Sequence, residues 1–121
     1  MSDLRENEKT SKFIKGYTPK DIETRVIKSF LDILILIEMK KQNLSGYDIT
    51  AFVNYKFGGI LSPGTVYATL YSMERKGLIK GESDGKKTIY SLTEKGIDVI
   101  TSMMQDFNKD MTDFVRNFLM L

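Results

Sequence analysis

The chain contains no cysteine and no histidine among its 121 residues. Without cysteine it has no disulfide, no thiolate nucleophile and no cysteine-ligated zinc site. Without histidine it lacks the side chain that most often acts as a general base or binds a metal. Paired carboxylates in a cleft segment, a phosphate-binding glycine loop and an HExxH-type motif are missing as well. The sequence therefore predicts no catalytic residue, no cofactor and no metal site, and it disfavours an enzyme.

Long apolar runs are also scarce. The densest run, Ile33 to Ile37, is far shorter than the ~20 residues of a membrane-spanning helix. The first eight residues are polar and mixed in charge, unlike a signal peptide, so we expect a cytoplasmic protein. The net charge of +2 is too small to indicate a nucleic-acid partner by itself. A chain of this length suits one domain.

Residues 1–17 predict a polar N-terminal arm, and a first helix follows it. Thr18 suits the N-cap position, Pro19 the first helical position and Asp21 the first turn. We expect this helix to reach about Lys41. Taken alone, the run from Ile33 to Ile37 also fits a buried strand, but the good helix formers after it favour a helix.

The first helix is apolar on two sides. At 100° per residue, one face holds Val26, Phe30, Ile33 and Ile37. Leu31 and Ile35 lie on the opposite side. A domain this small has little else to cover a second apolar face, so we expect another subunit to cover it and place Leu31 and Ile35 in a dimer interface.

Two shorter helices and a hairpin follow. Ser45 and Asp48 have the spacing of a capping box, and Ser62 precedes a second helix start. Because a short glycine-containing connection joins the two helices, they have the organisation of a helix-turn-helix. The segment from Ile79 to Leu92 predicts a β-hairpin with the Asp84-Gly85 pair as its turn.

The order of these elements predicts a mainly α fold with a small β-hairpin wing. We assign a winged helix-turn-helix DNA-binding domain to residues 18–96 and a long C-terminal helix to residues 97–121. Lys86 and Lys87 at the wing tip suit a phosphate backbone, although lysines at a hairpin tip also serve solubility. The outer face of the third helix carries hydroxyl groups and the Arg75 guanidinium, which suit DNA but also an ordinary solvated helix.

Several motifs resemble the PadR family of winged-helix regulators. They are Ser45-Gly46-Tyr47-Asp48-Ile49, the segment from Leu61 to Tyr67, the segment from Leu70 to Leu78, and Tyr90 to Gly96, the last of which also occurs in MarR-type proteins. The resemblance extends from about Phe30 to Gly96. This sequence departs from the family at Ala68, because family members often have a proline at this position, directly after the tyrosine of the recognition helix.

The resemblance implies DNA contacts from Tyr47, the start of the third helix and the wing lysines. Tyr47 and Tyr67 fit equally well as core tyrosines with bonded hydroxyl groups. The candidate DNA-binding residues, from the helix face and the resemblance together, are Tyr47, Ser62, Gly64, Thr65, Tyr67, Ala68, Thr69, Ser72, Arg75, Lys76, Lys86 and Lys87.

The C-terminal residues carry a heptad seam. Apolar residues are spaced alternately by three and four positions: Ile97, Ile100, Met104, Phe107, Met111, Phe114, Phe118 and Leu121. One helix from Thr93 to Leu121 would be ~42 Å long. Packing of this seam on its own domain is the alternative, but so small a domain leaves much of it uncovered. We therefore expect a homodimer, and the resemblance implies that the C-terminal and first helices form it.

These features together predict a homodimeric, sequence-specific DNA-binding transcriptional regulator, in particular a repressor, with double-stranded DNA as its partner. The alternative is a winged-helix module for protein interaction or for non-specific nucleoid binding. Met103, Met104, Phe107, Met111 and Phe114 crowd one stretch of the last helix. With the resemblance, they make a small aromatic effector at the dimer interface a further expectation, and a well-packed interface without a cavity is its alternative.

Overall fold

The computed structural model describes residues 14–59 and 61–120. Within them, five helices and three strands follow one another: α1 (Pro19–Met39), β1 (Leu44–Ser45), α2 (Gly46–Phe57), α3 (Pro63–Arg75), β2 (Ile79–Asp84), β3 (Lys87–Leu92), α4 (Glu94–Met104) and α5 (Phe107–Leu119). The expected fold class, helical with a small β wing, is confirmed. Most of the N-terminal arm, residues 1–13, lies outside the described residues, as do Ile60 and Leu121.

Hydroxyl side chains begin the first four helices. The N-caps are Thr18, Ser45, Ser62 and Thr93, and each accepts a hydrogen bond from a backbone N–H in the first turn. In α1 and α2 the carboxylates of Asp21 and Asp48 complete a capping box. Local side-chain chemistry therefore determines where these helices start.

The three strands form one antiparallel sheet in the order β1-β3-β2. Asp84 pairs with Lys87, so the two connecting residues are Gly85 and Lys86. The turn therefore lies one residue beyond the expected Asp84-Gly85 pair. Gly85 has φ +67°, which glycine adopts without steric cost. Strand β1 was not expected from the sequence, because two residues are too few to show an alternating pattern.

The core is built around α1, but on the face opposite to the one expected. Leu31 and Ile35 are 0% and 1% exposed within a single chain, so their assignment to a dimer interface is wrong. Val26 and Phe30, expected in the core, are about half exposed. Both faces of α1 are apolar, and periodicity shows such a face without showing what covers it. Here the Leu31 side is covered by the rest of the domain, and the Phe30 side is left open.

The C-terminal segment is two helices rather than one. The chain leaves helical geometry at Asp106, with φ −123° and ψ 18°, between the end of α4 and the start of α5. Ile100 in α4 is fully buried in the core, and Met103 and Met104 pack against it. Ile100 is thus not available to a partner, which corrects its place in the expected interface. Helix α5 contains no buried residue.

Candidate nucleic-acid interface

Helix α3 presents a polar face away from the core. Val66, Leu70 and Met73 are buried on its inner side. The outer residues are exposed: Gly64, Ala68, Tyr71, Ser72 and Arg75. The Arg75 guanidinium lies over the Tyr71 ring, 5.8 Å from its centroid, in a cation–π contact. The small residues lie near the N-terminal end of the helix, where backbone can approach a ligand closely, and the guanidinium lies near its C-terminal end.

The Asn54 side chain, which no sequence pattern indicated, bridges the connection between α2 and α3. The Asn54 amide donates a hydrogen bond to the Leu61 carbonyl, and the Leu61 N–H donates one to Asn54 Oδ1, both at 3.0 Å. Gly58 ends α2 in the left-handed region, with φ +82°. Asn54 lies seven positions before Leu61, so no local capping motif indicates this pair.

The wing lies beside the starts of α2 and α3. A groove of about 360 Å³ separates them; it is lined by Ser45, Gly46, Tyr47, Asp48, Tyr67, Lys86, Lys87, Thr88 and Tyr90. Tyr47 is 76% exposed, which excludes the core alternative for this side chain. Tyr67 is about half exposed, and its ring packs on Gly46, where a Cβ would lie within 2.8 Å of the Tyr67 hydroxyl. Gly46 thus gives the Tyr67 ring its place at the edge of the groove.

Charges in this groove are mainly basic at the wing and acidic at the helix start. Lys86 and Lys87 are exposed. Hydrogen bonds from Ser45 hold the pKa of the Asp48 carboxyl below its usual range, and the Lys87 ammonium lowers it further. Burial raises the pKa of the Tyr90 hydroxyl, and the Glu74 carboxylate adds to the effect. At neutral pH the groove therefore holds the Lys86 and Lys87 ammonium groups beside the Asp48 carboxylate, and the Tyr90 phenol is neutral.

A second groove lies on the other flank of α3, against α1. Its volume is about 420 Å³, and it is lined by Lys28, Ser29, Asp32, Thr65, Ala68, Thr69, Ser72, Met73 and Lys76. The Thr69 hydroxyl donates a hydrogen bond to the Thr65 carbonyl at 3.0 Å, and the Thr65 hydroxyl lies 3.1 Å from that of Ser62. Five of the expected DNA-binding residues thus line this groove, whereas Tyr47, Tyr67 and the two lysines line the first.

The C-terminal end of α3 is tied to the start of α4. The Thr93 hydroxyl donates a hydrogen bond to the Gly77 carbonyl, and the Lys95 ammonium donates one to the Lys76 carbonyl at 2.8 Å. Gly96 lies against the Leu78 carbonyl so closely that a Cβ has no room. Because the obstacle is backbone, a side chain at position 96 would push the chain away from Leu78, so this close approach requires glycine.

In the described part of the chain, no group of three or more carboxylate-type side chains is placed to hold a metal ion. No described helix is both long enough and apolar enough to cross a membrane.

Comparisons with known proteins agree with this geometry. Residues 33–102, more than half of the chain, match the family model described as the transcriptional regulator PadR-like family. A solved PadR-like transcriptional regulator from Bacillus cereus is 25% identical with a TM-score of 0.67, covering 78% of this chain and 96% of that one. A PadR family transcription regulator from Clostridium difficile is 29% identical with a TM-score of 0.63, covering 74% and 98%.

A further solved structure contains nucleic acid. It is Bacillus subtilis PadR in complex with operator DNA, 25% identical with a TM-score of 0.51, covering 62% of this chain and 46% of that one. A comparison with curated protein sequences finds no match.

Proposed function

The chain belongs to the PadR-like family of transcriptional regulators, and we propose that it binds operator DNA sequence-specifically, as a homodimeric repressor. One observation carries the proposal: the exposed side chains of Tyr67 on α3 and Tyr47 on α2 line one groove together with the two exposed lysines of the wing tip. A helix in the major groove reads base edges, and cations beside it neutralise phosphates. The Bacillus subtilis relative, solved with operator DNA, supports the same partner for this chain.

The side chains divide by the contact that each suits. Arg75 is the long donor on the outer face of α3, and a guanidinium binds the O6 and N7 atoms of guanine with two hydrogen bonds. Lys86 and Lys87 are compact charges that suit phosphates. At the start of α3, Gly64 and Ala68 leave space for close approach, and the exposed Ser62 hydroxyl suits a phosphate or base edge.

The homodimer rests on two apolar faces that the described part of the chain leaves open. On α1 the exposed apolar residues are Ile22, Val26 and Phe30. On α5, Phe114 and Phe118 are 60% and 63% exposed, and their rings stack with centroids 6.3 Å apart. Exposed apolar patches of this kind mark association sites in soluble proteins. The second copy is the partner that also gives a regulator two recognition helices for two half-sites.

Of the expected interface residues, those that keep this role are on α5 and at the ends of α4. Phe114, Phe118 and Ile97 are exposed, while Met104, Phe107 and Met111 are half-buried. Leu121 lies outside the described residues. A small aromatic effector stays a prediction, and because Met103 and Met104 already pack against the core, those two methionines favour the packing alternative.

The test is selection from a pool of random duplexes followed by binding titrations. We expect the chain to enrich a two-fold symmetric sequence with half-sites about one helical turn apart. Arg75→Ala should then lose at least part of the base preference, at ~1–3 kcal/mol for the position that it reads. Lys86→Ala with Lys87→Ala should weaken binding to all sequences alike.

Lys109→Ala, which removes one surface charge from α5, serves as the control and should bind as the unchanged chain does. Enrichment of no sequence, with uniform binding to all duplexes, would instead support the non-specific nucleoid module. No binding to any duplex would support a protein-interaction module.

A further inference from the structure

Helix α1 brings polar side chains to the flank of α3 that faces away from the wing. The groove between the two helices is lined by two lysines and two serines, Lys28, Lys76, Ser29 and Ser72. Tyr67, in contrast, lies on the wing side of α3, about 100° around the helix from its buried Val66. The outer face of α3 thus has basic groups on both flanks, from the wing on one side and from α1 on the other.

The cations of this second groove are available to a ligand. Lys28, Ser29, Ser72 and Lys76 are all exposed. Among the residues 14–59 and 61–120, no carboxylate lies within 4.0 Å of the Lys28 or Lys76 ammonium. One acidic side chain, Asp32, also lines the groove and is half-buried. Two ammonium groups with two hydroxyls suit phosphate oxygens, and the carboxylate opposes them.

The shape of DNA gives this arrangement a use. The major groove is about 12 Å wide, and a phosphate backbone borders it on each side. A helix that lies in the groove therefore has one backbone on each flank. We propose that the α1 groove, through Lys28, Ser29 and Lys76, binds the phosphate backbone opposite to the one that the wing binds. This inference rests on the proposed function. It extends the DNA interface to α1, for which the sequence predicted only a place in the core and in the dimer interface.

The experiment measures the salt dependence of binding to a mixed-sequence duplex of about 30 base pairs, long enough for a dimer. The variants are Lys28→Ala with Ser29→Ala, Lys28→Arg, and Asp32→Asn. The control is Lys109→Ala, which removes the same charge from α5. Each lost phosphate contact lowers the slope of log affinity against log salt by about 0.9. Circular dichroism confirms that each variant is folded.

We expect the Lys28→Ala/Ser29→Ala variant to flatten the slope by about 2 per dimer, one contact per protomer. Lys28→Arg keeps the positive charge and should keep the slope of the unchanged chain. Asp32→Asn removes the opposing carboxylate and should tighten binding. An unchanged slope in the double variant, while Lys86→Ala with Lys87→Ala flattens it, overturns the α1 inference and leaves the proposed function standing. Failure of the unchanged chain to bind any duplex overturns both.

Discussion

The core domain, α1 to α4 with its sheet, and the terminal helix α5 have similar apolar content but very different surroundings. Fourteen hydrophobic residues are buried among the described residues, and all of them belong to the core domain. Helix α5 has thirteen residues and buries none, although its apolar stripe is as regular as that of any other helix. On its polar face, Asp113 forms exposed ion pairs with Lys109 and Arg116, and such pairs contribute little stability.

The contrast shows what an apolar stripe does and does not specify. On α1 the Leu31 stripe is covered by its own domain and the Phe30 stripe is open, and the two have the same sequence character. Covered and open stripes should therefore respond to substitution in different measurements. The first should change the free energy of unfolding of one chain, and the second should change the association of two.

The largest effect is expected on α5. Phe114→Asp with Phe118→Asp would bury carboxylates in an apolar interface, at several kcal/mol per dimer. We expect the dissociation constant to rise by more than about a thousandfold, since each 1.4 kcal/mol is tenfold. Sedimentation velocity measures it, and circular dichroism should show a folded monomer because α5 lends no residue to the core.

Asn117→Asp adds one carboxylate, half the charge of the double variant, at an exposed polar position of α5 and should leave association unchanged. A dimer that persists in the double variant with the affinity of the unchanged chain would contradict the assignment of α5 to the interface.

The next effect sharpens the comparison within α1. In the monomeric background just described, Leu31→Ala should lower the free energy of unfolding by ~2–5 kcal/mol, because it leaves a cavity in the core. Phe30→Ala, one residue away on the open face, should cost less than ~1 kcal/mol there but weaken association in the dimeric background. Urea titrations measure the first quantity and sedimentation the second. Equal unfolding costs for the two variants would mean that the open face is covered within one chain.

The smallest effect concerns the capping carboxylates. Because hydrogen bonds lower the pKa of Asp21 and Asp48 in the folded chain below the ordinary value of 3.8, their stabilising contribution is complete above that value. It is lost as the pH falls through the lower, folded pKa. We expect stability from these two groups to be flat between pH 5 and 7 and to decline below about pH 4.

Asp48→Asn should reduce the loss of stability below about pH 4. Thermal melts at a series of pH values from about 7 down to below 4 measure this loss. A variant with the same acid dependence as the unchanged chain would show that the capping box of α2 does not contribute.

Features that depend on neighbouring residues were readable from the sequence, and features that depend on distant partners were not. The N-caps at Thr18, Ser45 and Ser62 follow from spacing within one turn. Which face of α1 packs into the core could not be predicted, because a helix with two apolar faces can bury either of them. The Asn54–Leu61 pair crosses a loop, and the break at Asp106 interrupts a seam whose spacing continues undisturbed. Of the candidate interface, the exposure of Tyr47 and the second groove beside α1 needed the structure.

The tie between α3 and α4 has a consequence for regulation. The hydrogen bonds from Thr93 and Lys95 and the backbone contact at Gly96 hold the start of α4 against the residues that directly follow the recognition helix, Lys76 to Leu78. In the proposed dimer, the distance between the two recognition helices is then set by the subunit contacts and by the angle between α4 and α5 at Asp106. DNA of the wrong half-site spacing, or a ligand that prefers another spacing, must therefore act on the subunit contacts or on the break at Asp106.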